Sequence, residues 1–115
     1  MAVTDWKDMR AGLLERVGDL GKLSPDTLKG VMTLAGAGAK TGHLDEKTRE
    51  LIAIACAVTT RCEGCIAVHS ESAVKAGASE GEIAEALGVA INMNAGAALT
   101  YSTKVLDAVK QIKNS

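Results

Sequence analysis

Cys62-Glu63-Gly64-Cys65 is followed by His69, four residues beyond the second cysteine. On a helix, residues three and four apart share a face, so this spacing sets two thiols and a titratable base side by side. A dithiol next to a base is what thiol redox chemistry requires. The thiolate is the nucleophile, and unpaired N–H groups at a helix N-terminus favour it. Cys65 lies one turn from His69 and is assigned as the attacking thiol. Cys62 would then resolve a Cys65 sulfenic acid by closing a disulfide. Gly64 between them is expected to leave room for a peroxide or a partner sulfur.

Glu50 stands twelve residues before Cys62. With a helix hairpin turning near Thr60, Glu50 lies ten residues before the turn and His69 nine after it. At the helical rise both then stand roughly 14 Å from the turn, at nearly the same height. Glu50 is therefore expected to hydrogen-bond His69, fix its tautomer and raise its basicity. The plain alternative for Glu50 is an exposed residue pairing with Lys47. That for His69 is a satisfied core histidine.

The elements that must hold these residues read as helices. No segment alternates like a half-buried strand, and turn signals separate runs of helical length. A first helix is expected from about Asp5 to Val17, with Leu13, Leu14 and Val17 inward, broken by Gly18 and Gly21. Ser24-Pro25 opens a second, which fades through Gly36-Ala37-Gly38. Asp45 caps a third, with Leu44 as its staple residue. Its later part, Leu51 to Val58, is apolar all round and must be covered on every side, which points to subunit packing. Cys56, within that run, reads as an inert core residue. A fourth helix runs from about Cys62 to Lys75 and stops at Ala76-Gly77-Ala78. Ser79-Glu80-Gly81-Glu82 is a capping box for a fifth helix to about Ile91. Asn92, Asn94 and Gly96 suggest a break before a last helix ending near Ile112, with Tyr101 and the Met93-Asn94 region as possible site lining. The sum is an all-α fold of about six helices. His43 falls in a turn and carries no assigned chemistry.

The 115 residues allow one domain, 1–115, with a single core. The net charge is −1, from 13 basic and 14 acidic residues, and no basic stripe is interleaved with aromatics, so nucleic acid is not an expected partner. The start, Met1 to Asp5, lacks the basic and apolar regions of a signal peptide, and Leu51 to Val58 is too short to span a bilayer. A cytoplasmic location without membrane contact follows as the expectation. Three cysteines suit a reducing compartment, where a close pair is more often catalytic or metal-binding than a permanent staple. There is no Phe, one Trp and one Tyr, so the core is expected to be built from small residues around a small site.

Leu44-Asp45-Glu46-Lys47-Thr48-Arg49-Glu50-Leu51-Ile52-Ala53-Ile54-Ala55, then Cys62-x-x-Cys65-x-x-x-His69, resembles the carboxymuconolactone decarboxylase/alkylhydroperoxidase D-like family. Gly77-Ala78-Ser79-x-x-Glu82-Ile83-x-Glu85-Ala86-Leu87 is similar to the next helix of that family. The resemblance extends from about Pro25 to Leu106. It implies an obligate homo-oligomer, a trimer or hexamer. In the peroxidase branch it implies a proton relay in which Glu50 and His69 serve Cys65 and Cys62 resolves. That branch has histidine directly before the second cysteine, where this chain has Gly64. The decarboxylase branch lacks the cysteine pair.

The expected activity is therefore reduction of hydroperoxides, or disulfide exchange, without a bound organic cofactor. An external thiol reductant must return the disulfide to dithiol. Two alternatives stay open. Cys62, Cys65 and His69, with Glu50, could be zinc ligands. The chain could also be a non-catalytic oligomeric module. Covalent haem is excluded, since Ile66 follows Cys65 where its motif needs histidine, and the βαβ context of a thioredoxin is missing.

Overall fold

The structure is a computed structural model that describes residues 4–115. Met1 to Val3, the start of the segment read for a leader, lie outside the described residues. Five helices follow in order: α1 (Trp6–Leu23), α2 (Pro25–Thr41), α3 (Glu46–Thr60), α4 (Glu63–Lys75) and α5 (Glu80–Lys113). There is no strand among the described residues, and the fold is all-α. No helix among them is long and apolar enough to cross a membrane.

Helix starts follow their caps. Asp5 accepts from the Asp8 N–H at 3.0 Å, and Asp45 Oδ1 accepts from the Thr48 N–H at 2.8 Å. Ser79 Oγ accepts from the Glu82 N–H while Glu82 Oε1 accepts from the Ser79 N–H, so the expected capping box is complete. Ser24 stands at the N-cap of α2 but turns its hydroxyl to Thr27, leaving Pro25 to start the helix. Leu44 is exposed, so it is no buried staple.

Helix ends depart further from expectation. α1 passes through Gly18 and Gly21 to Leu23, and α2 passes through Gly36 and Gly38 to Thr41. A glycine inside a helix costs about 1 kcal/mol against alanine but does not forbid helical dihedrals. Instead of two helices, residues 80–113 form one, so five replace the expected six. Asn94 explains the missing break. Its amide donates to the Ala90 carbonyl at 2.7 Å and to Thr59 Oγ1 at 2.9 Å, so its polar group is satisfied without opening the helix.

α3, α4 and α5 form the nucleus, with α1 against α4 and α2 against α1. Among the described residues the buried ones are Ile54, Ala57, Ala67, Ala73 and Ala90. Four of these five are alanine, as a small-residue core predicts, and they let helix backbones approach closely. Neither α1 nor α2 buries a residue fully. Leu13 and Val17 are half-buried as expected, but Leu14 is exposed. The whole is open. Its radius of gyration is 18.9 Å, against about 13 Å for a compact domain of this length.

Candidate active site

α3 ends at Thr60, Arg61 turns left-handed with φ 58°, and α4 begins at Glu63 with Cys62 as its N-cap. The Cys62 N–H closes the turn on the Ala57 carbonyl at 3.0 Å. This tight reversal folds α4 back along α3 and fixes Cys62 at a helix start.

Cys62 and Cys65 are joined as a disulfide, with Cα atoms 5.2 Å apart, inside the span such a bridge needs. Cys62 Sγ also accepts from the Cys65 N–H at 3.1 Å. The sulfur thus occupies the place of an N-cap oxygen and takes one of the unpaired donors at the positive end of α4. Both cysteines are half-buried.

Across the hairpin, His69 Nδ1 and Glu50 Oε2 lie 2.7 Å apart, at the matched heights that the helical rise predicts. The Glu50 side chain is 19% exposed and that of His69 36%. Lys47, the alternative partner for Glu50, instead pairs with Glu82 of α5 at 2.7 Å. Glu50 is thereby left with the His69 ring as its partner. With Nδ1 on the carboxylate, Nε2 is the nitrogen free to exchange a proton. His69 is one turn along α4 from Cys65, on the same face of the helix.

Charges around the site tie helices together. The Lys47 ammonium beside Glu82 lowers the pKa of that carboxyl, helped by the Ser79 N–H, and the Lys47 pKa is raised in return. Glu71 is likewise lowered, by Lys75 first and Arg10 next. Asp45 is lowered by its hydrogen bonds from Thr48. Among the described residues, no three His, Cys, Asp or Glu side chains converge to hold a metal ion. With the two sulfurs bonded to each other, the zinc set Cys62, Cys65, His69 is not assembled in this arrangement.

Three expectations are corrected. Cys56 is exposed, not a core residue. It lines an apolar groove between α3 and α5, with Ile52 and Thr59 on one wall and Met93 on the other. Tyr101 is also exposed, its ring under the Lys104 ammonium at 4.9 Å, and Met93 belongs to the Cys56 groove. The space beside Gly64 is not open: a Cβ there would stand 2.8 Å from Leu13 Cδ2 of α1. Sequence reading gave Leu13 an inward face but not this neighbour, which depends on how α1 crosses α4.

Comparison with known proteins agrees with this architecture. The model of the carboxymuconolactone decarboxylase family matches residues 25–108. An uncharacterized protein of Haemophilus influenzae is 55% identical over 105 residues, covering 91% of this chain and 93% of its own. One from Cupriavidus necator is 30% identical over 103 residues, covering 90% and 91%. Among solved structures, a carboxymuconolactone decarboxylase family protein of Legionella pneumophila, in apo form, superposes with a TM-score of 0.73 at 37% identity. That match covers 92% of this chain and 95% of the other. A protein from Methanobacterium thermoautotrophicum gives a TM-score of 0.67 at 34% identity, covering 73% and 94%. With the helical hairpin, the cysteine pair and these matches together, the chain belongs to the carboxymuconolactone decarboxylase/alkylhydroperoxidase D-like family.

Proposed function

We propose that this protein is a thiol-dependent oxidoreductase that reduces hydroperoxides, or exchanges disulfides, through Cys65 and Cys62. The observation that carries the reading is the Glu50–His69 contact at 2.7 Å, one helical turn from a bonded cysteine pair. In the reduced protein His69 takes the Cys65 proton through Nε2 while Glu50 steadies the ring. The Cys65 thiolate attacks the terminal oxygen of ROOH. The O–O bond breaks, and the alkoxide takes a proton from His69 and leaves as ROH. Cys65 is then a sulfenic acid. The Cys62 thiolate attacks its sulfur, the S–O bond breaks, and hydroxide leaves as water after protonation. The disulfide so formed is reopened by an external dithiol, whose own thiols are oxidised. No bound organic cofactor enters this sequence.

One observation favours the exchanged roles. Cys62 Sγ, accepting the Cys65 N–H at 3.1 Å, has the better place to hold a negative charge. Serine variants separate the two assignments. With Cys65 attacking, Cys65→Ser abolishes sulfenate formation, and Cys62→Ser accumulates a sulfenate that dimedone traps. The reverse pattern would assign the attack to Cys62. Full peroxide turnover in both variants would refute the mechanism.

The proposed working form is a homo-oligomer, a trimer or hexamer, which covers the apolar surfaces that one chain leaves open.

A further inference from the structure

Two contacts seat α1 on α4. Leu13 meets Gly64, and Arg10 Nε lies 2.9 Å from Glu71 Oε2. Ahead of them, the first turn of α1 leaves a cavity of about 570 Å³ against α4, lined by Trp6, Lys7, Ile66, Ala67, Ser70 and Glu71. Small-molecule sites commonly span about 300–1,000 Å³. Neither cysteine of the bonded pair lines this cavity, and nor does His69. Its walls divide by chemistry. The Trp6 indole, Ile66 and Ala67 make the apolar part, with Ala67 buried and Ile66 half-buried. Glu71, the one acid in the lining, is already engaged, with Oε1 on Lys75 at 2.6 Å and Oε2 on Arg10. Those two cations hold its carboxyl low, Lys75 first and Arg10 next, and Lys7 contributes least. Lys7 pairs with no carboxylate among the described residues. Neither Ser70 Oγ nor Trp6 Nε1 enters a hydrogen bond among them. The polar groups that remain uncommitted around the cavity are therefore donors, one of them a cation.

We propose that this cavity is a binding site for a small amphipathic carboxylate. The apolar body of the ligand lies against Trp6, Ile66 and Ala67, and its anionic end meets the Lys7 ammonium and the Ser70 hydroxyl. A neutral apolar molecule would fill the same space but leave the Lys7 charge unanswered. A cation would be repelled by Lys7 and would find Glu71 already paired. The site stands apart from the dithiol reading, since no step at Cys62 or Cys65 enters it.

Trp6 is the single tryptophan of the chain, so its fluorescence reports on this cavity. The full-length protein is titrated with octanoate and, separately, with octanol. Octanoate is expected to produce a saturable blue shift of Trp6 emission, with a Kd about threefold below that of octanol, as a partly exposed ion pair gives. Lys7→Gln is expected to weaken octanoate alone and bring the two Kd values together. Ser70→Leu, which fills the cavity from α4, is expected to remove the shift for both ligands. Where Ser70→Leu does not fold, the exposed Lys7→Gln decides. Met93→Gln, in the groove between α3 and α5, leaves the titrations unchanged. Equal Kd values for octanoate and octanol in the wild-type protein, or an octanoate preference that survives Lys7→Gln, would overturn the assignment of a carboxylate. A Trp6 signal that responds to neither ligand, as when a second copy of the chain covers the cavity, would overturn the site itself.

Discussion

At the residue scale, the site depends on one contact between side chains nineteen positions apart, Glu50 and His69. If His69 is the base that serves Cys65, His69→Ala slows sulfenate formation by about 10²–10⁴-fold near neutral pH. Glu50→Gln, which keeps the size but not the charge of the orienting group, slows it less. Stopped-flow measurement of peroxide consumption in single turnover checks both, and unchanged rates would remove the relay. This pair was legible in the sequence because helical rise alone sets its height across a hairpin. Leu13 over Gly64 was not legible, since an interhelix contact of that kind depends on a crossing angle that no local pattern encodes. Cys56 was misjudged for a related reason. An apolar run says that a helix must be covered, but not whether its own chain or another does the covering.

Elements began where their caps predicted, and α4 stopped at its expected Ala76-Gly77-Ala78, whereas α1, α2 and α5 ran through the glycines expected to end or break them. Asp45, Cys62 and Ser79 each offer an acceptor to a backbone N–H, so the starts of α3, α4 and α5 are written locally. Glycines and asparagines are weaker signals, because packing offsets their modest cost, as Asn94 shows by bridging α5 to Thr59. The Lys47–Glu82 pair ties α3 to α5 and makes that packing sensitive to acid. The pKa of Glu82 is lowered on folding, so its contribution is complete above the ordinary carboxylate range and is lost as pH falls through the lowered value. That of Lys47 is raised, so its contribution holds below the ordinary lysine range and fades only in strong base. Thermal melting from pH 7 into the acid range should thus show falling stability, with a shallower fall in Glu82→Gln. An identical pH profile in the variant would show that the pair carries none of the acid response.

For the whole molecule, the main fact is incomplete coverage. Ile52 of α3 is 50% exposed and Leu106 of α5 71%, and α5 from residue 97 onward has no buried or half-buried position. Burying one such side chain fully is worth about 1.5–3 kcal/mol, which is what the proposed homo-oligomer would recover. The apolar run of α3 raised that expectation in the sequence. Light scattering with size-exclusion chromatography is expected to find a trimer or hexamer at micromolar concentration. Ile52→Glu or Leu106→Glu should dissociate or aggregate it. A stable wild-type monomer would contradict the oligomeric reading and leave these surfaces without an occupant.

The most direct test of the central claim is intact-mass thiol titration of the reduced, metal-free protein before and after one equivalent of cumene hydroperoxide. The account predicts the loss of two thiols and about 2 Da per chain, from Cys62 and Cys65 alone, reversed by a dithiol and absent in both Cys65→Ser and Cys62→Ser, of which only the variant that keeps the attacking thiol gains about 16 Da as a sulfenic acid. A pair that stays reduced under those conditions, with the chain folded and its thiols open to alkylation, would contradict peroxide reduction by this site.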